Sequence, residues 1–180
     1  MDFLQCVKGR RSIRKFKEEK IDHDKLERIV KIASFSPSWK NSQIARYNII
    51  EDKNIINDIA ENCVMGFEFN SNTIKNATAI VVVTTVTGYS GYNKDGSFAT
   101  SKKTHWESFD AGISTQTFCL AAHNEGVGSV IIGIFDDELV SKTLDIPKNE
   151  KIAALIAIGY AEEEPIMPER KSVKELIRFK

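Results

Sequence analysis

Apolar residues recur at two periods along this chain, and the switches between those periods lay out its elements. Phe3 to Lys8 has room for a short helix. Asp22 is suited to cap the next one, in which Leu26, Ile29, Val30 and Ala33 follow at i, i+3, i+4, i+7 spacing. That stripe must end before Pro37. Arg46 to Glu51 predicts a strand, after which Asp52 can cap a helix carrying Ile55, Ile56, Ile59, Ala60 and Cys63 along one side. Ala79 to Val86 (AIVVVTTV) is β-branched almost throughout, the pattern of a strand covered on both faces in the middle of a sheet.

The segment from Gly88 to Thr104 is long, polar and glycine-containing, which predicts a mobile or ligand-binding loop rather than a plain connector. A helix over 106–125 follows, with Ile113, Thr117, Leu120 and Ala121 as its apolar stripe and Gly126 as its C′ residue. Gly128 to Phe135 and Ile152 to Tyr160 read as strands, separated by a short helix that Asp136 can cap. Ser172 and Glu175 have capping-box spacing for a last helix to Phe179. Helices and strands alternate along the chain, so an α/β or α+β sandwich is expected.

Hydrophobic residues make up 42% of the 180 and are spread without repeat or low-complexity linker, which predicts one unit over 1–180. The 25 Lys+Arg balance 25 Asp+Glu, so no overall field draws the molecule to nucleic acid or an anionic membrane. Any anion site must be local. No apolar run approaches the ~20 residues of a membrane span, and the opening residues do not resemble a signal peptide; a cytoplasmic location is the expectation. Cys6, Cys63 and Cys119 are widely spaced and suit buried thiols better than a dithiol or zinc knuckle. His23, His105 and His123 show no ligand spacing, and no metal is expected. His123, near the end of the central helix, is placed to favour the helix dipole if protonated.

Two stretches could carry chemistry. Arg10-Arg11-Ser12-Ile13-Arg14 sets three guanidinium groups and a hydroxyl within one turn, and such forks match phosphate oxygens bidentately. By itself the cluster suits a phosphate-bearing ligand and a solvated basic face equally well. Ser36 to Gln43 (SPSWKNSQ) packs amides, serines, a proline and an aromatic between a helix and a strand. It suits directed hydrogen bonds to a polar ligand, or an ordinary turn. GYSGYNKDG at 88–96 lacks the Lys-Ser/Thr ending of a phosphate loop and fits a lid or substrate loop.

RRSIRKF near the N-terminus, SPSWKNSQ some two dozen residues later, GVGSVIIG before the last strand and Pro168-Glu169-Arg170-Lys171 near the C-terminus together resemble the nitroreductase family, in order and spacing over nearly the whole chain. The resemblance implies a mixed, mainly antiparallel sheet flanked by helices, in an intertwined homodimer with two flavins held between subunits. It implies that Arg10, Arg11 and Ser12 bind FMN, with Arg10 and Arg170 converging on the phosphate beside Lys171. Arg14 would lie near the ribityl chain and the N1/O2 edge of the ring. Pro37, Ser38 and Trp39 match the segment that the partner lays against the flavin, and Asn41 and Gln43 would add polar contacts. Ile132 and Gly133 match the backbone beside N5 and O4.

The chain departs from the family pattern at three places. Trp39 stands where a small residue is common, Ile44-Ala45 replace the Pro-Trp that often follows the glutamine, and Pro168 replaces a basic residue before the phosphate arginine. The resemblance implies a ping-pong oxidoreductase that passes a hydride from NAD(P)H through the flavin to a nitroaromatic, quinone or similar small acceptor. No acid, base or nucleophile of the protein is required for that transfer, beyond Arg14 and the 132–133 backbone tuning the ring. The alternatives are an FMN sensor or storage module without turnover, and a more specialised flavin enzyme of the same fold.

Overall fold

A computed structural model describes residues 1–180. Helix α1 is Phe3–Gly9 and α2 is His23–Ala33; a single 3-10 turn, Trp39–Asn41, leads into β1, Ala45–Ile50. Then come α3 Lys53–Asn62, α4 Glu68–Asn76, β2 Ala79–Val86, α5 His105–Asn124, β3 Gly128–Ile132, α6 Asp137–Leu144, β4 Glu150–Gly159 and α7 Val173–Leu176. The strands form one sheet in the order β1-β2-β4-β3, with every neighbouring pair antiparallel. A parallel bridge from Ser12 to Ser129 lays the N-terminal basic segment on the outer side of β3, so the sheet is mixed but mainly antiparallel.

The central strand behaves as its composition requires. Every residue from Ala79 to Thr85 is buried. Successive side chains alternate faces: Ile80 and Val82 join the cluster beneath α3, α4 and α6, whereas Val81 and Val83 join the cluster beneath α2 and α5. Each fully buried Val or Ile contributes roughly 1.5–3 kcal/mol of transfer free energy, enough to fix the register of this strand against a one-residue slip. The result is three layers, helices on both faces of the sheet.

Several local expectations hold. Asp52 and Asp136 cap α3 and α6 by accepting the N–H of Asn54 and Leu139. Ser172 and Glu175 form the capping box, but α7 stops at Leu176 because Ile177 is already extended. Others are corrected. Asp22 stands at the N-cap of α2 without a side-chain cap bond. The strand after Gly128 stops at Ile132 because Gly133 and Ile134 turn out of the sheet. Helix α4 was not legible: in EFNSNTIKN only Thr73 and Ile74 are buried, too few to write a period.

The apolar stripe of α5 is also corrected. Of the expected stripe Ala121 is buried but Ile113, Thr117 and Leu120 are only half-buried, while Asp110, Ala111, Ser114, Thr115, Phe118, Cys119 and Ala122 are buried. This helix is wedged between α2, the sheet and α1, so small and polar residues are enclosed where two neighbours come close. Cys63 and Cys119 are buried thiols, as expected, and burial raises both above the ordinary thiol range. Cys6 is only half-buried and points its Sγ at the Leu120 carbonyl 3.4 Å away.

Candidate functional site

Residues 10–16 run along the outer edge of the sheet, held there by backbone pairing. Ile13 N–H donates to the Ser129 carbonyl at 3.0 Å, Lys17 N–H to Tyr160 at 2.9 Å, and Glu162 N–H to Lys15 at 3.0 Å. Close approach at two glycines makes this possible. A Cβ at Gly128 would meet Ile13 at 3.0 Å, and one at Gly159 would meet Phe16 at 2.8 Å. The first glycine of the GSVIIG stretch therefore serves the packing of the basic segment.

Arg10 and Arg11 line a groove of ≈ 440 Å³ with Gly9, His123, Ser129 and Glu163 among its walls. The Arg11 guanidinium donates to the carbonyls of Lys8 and Arg10 at 2.6 and 2.8 Å, and the Arg14 guanidinium to the Ser12 carbonyl at 3.3 Å. None of the three arginines forms an ion pair with a carboxylate; the ion pairs are His23–Glu51, Arg28–Glu125 and Lys75–Glu61. Glu163 comes close, but its Oε1 is committed to the backbone N–H groups of Arg14 and Lys15 at 2.6 and 3.2 Å. These cations remain available to an anionic ligand.

Helix α4 supplies residues that sequence reasoning missed. The Arg14 guanidinium lies 5.4 Å from the centre of the exposed Phe69 ring, and Asn70 donates to the Ile134 carbonyl at 3.1 Å. Phe69 and Asn70 thus tie the basic segment to the Ile132–Gly133 end of β3, where Gly133 has no atom within 4 Å of a would-be Cβ. The only sequence signal was an amide beside an aromatic in a polar stretch.

His123 faces this groove from the last turn of α5. Burial first, then Arg10 and Arg11, lower its pKa below the ordinary 6.5, and its Nε2 has no protein partner. Burial and the two guanidinium groups thus oppose the protonated imidazole that the helix dipole would favour.

The 37–43 segment stands elsewhere, before β1 at the opposite edge of the sheet. Asp110 anchors it: this buried carboxylate accepts the Trp39 N–H at 2.9 Å and the Ser90 hydroxyl at 2.7 Å through one oxygen, Oδ2. Gln43 N–H donates to Ser38 Oγ at 2.9 Å, and Lys40, Asn41 and Gln43 all adopt positive φ (47°, 56° and 48°). Such backbone is uncommon outside glycine and marks a segment whose shape its surroundings impose. Pro37, Ser38 and Gln43 border a cavity of ≈ 300 Å³ with Arg46, Asp110 and Ser114.

Arg170 and Lys171 belong to an exposed arm beyond β4 in which no residue from 161 to 180 is buried. The Arg170 guanidinium bonds the carbonyls of Pro168 and Glu169 in its own turn. Within one chain the expected site residues therefore form three groups. One is the basic segment with α4 and the end of β3, the second is the 37–43 turn, and the third is the arm.

The Nitroreductase family model matches residues 7–160. An oxygen-insensitive NADPH nitroreductase of Helicobacter pylori is 28% identical over a stretch that covers 86% of this chain and 84% of that protein. An FMN-dependent nitroreductase from Clostridium difficile R20291 is 25% identical with a TM-score of 0.79, covering 98% of both chains. A nitroreductase family protein from Streptococcus pneumoniae TIGR4 has the same fold at a TM-score of 0.86 and 22% identity, over 99% of this chain and all of that one. With the motifs in order, the sheet and helices of that fold and a family match over most of its length, this chain belongs to the nitroreductase family and is one of its oxidoreductases.

Proposed function

We propose that this chain is an FMN-dependent oxidoreductase that acts as a homodimer, taking electrons from NAD(P)H and delivering them to a small acceptor such as a nitroaromatic or a quinone. The observation that carries the reading is the set of Arg10, Arg11 and Arg14, three guanidinium groups without a carboxylate partner spaced along the outer side of β3. A phosphate-bearing, flat ligand with an electron-rich edge fits that donor set. The arginine forks and Ser12 match phosphate and polyol oxygens. Arg14, held against Phe69, is set to face a flat ring edge.

FMN, when bound, supplies the two-electron exchange with NAD(P)H and then with the acceptor. The chain's own residues bind, orient and polarise. Arg10, Arg11 and Ser12 hold the phosphate end, with Arg170 and Lys171 of the exposed arm as further cations for it. Arg14 would offset negative charge that develops on the reduced ring, and the Ile132–Gly133 backbone would border the ring and orient it. Pro37, Ser38, Trp39, Asn41 and Gln43 would come from the partner subunit. The 37–43 turn precedes β1 while the basic segment lies outside β3, and three strand spacings of about 4.8 Å put roughly 14 Å of sheet between those edges. A second copy supplies what one chain keeps apart. The Gly88–Thr104 segment is ordered by turns and a Tyr92–Phe98 bridge, buries Ser90 and Gly91, leads into the first turn of α5 and suits the acceptor side.

The purified protein should carry a flavin absorbance that phosphate analysis assigns to FMN, and NAD(P)H should bleach it rapidly without oxygen. Bound flavin that stays oxidised would favour a storage or sensor role. Arg10→Ala should weaken FMN binding about ten- to a hundredfold, the worth of a charge-assisted hydrogen bond. Wild-type affinity in an FMN titration of that variant would remove Arg10 from the phosphate site.

A further inference from the structure

The two tryptophans of the chain, Trp39 and Trp106, stand against each other with ring centres 4.9 Å apart, and Phe109 meets Trp106 edge-on at 5.4 Å. Three lysines rim this aromatic wall. Lys40 Nζ is 5.5 Å from the Trp39 ring, Lys102 Nζ 4.8 Å from the Trp106 ring, and Lys103 Nζ 5.8 Å from Phe98, which in turn packs on Tyr92 at 4.9 Å. Lys40 and Lys103 both sit at positive φ, 47° and 48°, so the turns that carry these cations are shaped rather than relaxed.

No carboxylate pairs with any of the three lysines. The acids of this region are spent on other donors. Asp110 accepts from Trp39 N–H and Ser90, Glu107 accepts the Gly88 N–H at 2.9 Å, and Asp95 accepts the Ser97 N–H and hydroxyl. Asp110 and Glu107 are also buried. The exposed charge at the wall is thus positive although the chain as a whole is neutral.

We infer that this wall selects flat aromatic acceptors that carry an anionic group, such as a carboxylate or sulfonate, over neutral ones of the same shape. The inference rests on the FMN reading above, which brings the 37–43 turn and the wall attached to it beside the partner's flavin. Indole faces stack on planar rings. A lysine ammonium on a flexible stem can leave its exposed ring contact and pair with the anion at the ligand's rim. Ring and anion together satisfy both parts of the wall, which a neutral ring leaves half used.

Because both tryptophans lie in the wall, their emission reports on it alone. The FMN-loaded protein is titrated with 4-nitrobenzoate and with 4-nitrobenzyl alcohol, following tryptophan quenching, and kcat/KM is measured for both. The benzoate should bind about tenfold more tightly at low salt, as one charge-assisted contact provides, with the ratio falling as salt rises. The ratio should fall severalfold in Lys102→Gln/Lys103→Gln, which leaves Lys40 as the wall's one cation, and stay at the wild-type value in Lys142→Gln, which lies on α6 across the sheet. Equal affinities in the wild type, or an unmoved ratio in the double variant, overturn the inference. If NAD(P)H fails to bleach the flavin, the proposed function falls instead, and the quenching titration still decides what the wall binds.

Discussion

His123 shows how one neighbour changes what a residue does. Its place in the last turn of a helix favours a protonated imidazole by the dipole argument, but burial and the nearby Arg10 and Arg11 guanidinium groups act the other way and prevail. A lowered folded-state pKa means the folded protein resists protonation here. The stabilising difference is present above 6.5, the ordinary value, and is lost as pH falls below it. His23, on the surface, has the opposite sign: the hydrogen bond and charge of Glu51 raise its pKa, so its contribution is present at low pH and fades as pH rises through the raised value. Thermal melts should show His123→Gln losing less stability than wild type between pH 7 and pH 5.5. Equal losses would mean that His123 titrates alike in both states. FMN phosphate close to Arg10 and Arg11 would offset their charge, so the difference should shrink in the loaded protein.

At the scale of elements, α5 joins the parts. Its second turn carries Asp110, which fixes the 37–43 turn and the Ser90 end of the long loop in one carboxylate. Asp110→Ala leaves one buried and one part-buried donor without their acceptor and should cost about 1–3 kcal/mol in denaturant unfolding. It should also loosen FMN retention, because the turn it holds is the one proposed to reach the partner's flavin. Asp110→Asn keeps an oxygen for the Trp39 N–H and should lose less. If the alanine variant unfolds earlier yet binds FMN as wild type, the turn has no part in the cofactor site. The outer edge depends on glycine in the same way. At Gly128 a side chain would press on Ile13 at 3.0 Å, and Gly128→Ala should cost about 1–3 kcal/mol through overpacking.

Across the whole molecule, exposed apolar side chains concentrate on α1 and the C-terminal arm. Phe3, Leu4 and Val7 of α1, Phe109 of α5, and Ile166, Leu176 and Phe179 of the arm are all exposed, and neither α1 nor the arm buries a residue. A second copy that covers these surfaces would also unite the two halves of the site. Sedimentation should find a dimer at low micromolar concentration, and Leu176→Asp with Phe179→Asp should lose dimer and FMN together. A monomer with full FMN occupancy would separate the site from the assembly.

The sequence alone determined what depends on near neighbours along the chain. The run of β-branched residues at 79–86 defines β2 to the residue, the 3.6 period of 26–33 defines α2, and Asp52 and Asp136 mark two helix starts. The basic segment at 10–14, which the structure extends along the sheet edge instead of turning, and the polar turn at 36–43 were legible as chemistry because their residue types are unusual at that density. Helix α4 was not, since its two buried residues leave no period, and with it Phe69 and Asn70 stayed out of sight. The buried face of α5 was misjudged because local hydrophobicity cannot reveal that small polar residues are enclosed by α2 and the sheet. Only the tertiary structure decided the strand order, which sets the basic segment and the 37–43 turn at opposite edges, and the gathering of Trp39 with Trp106 across 67 positions of chain. The reason is physical: periodicity and capping are written within one or two turns, whereas strand pairing and aromatic contacts between distant residues depend on how whole elements pack.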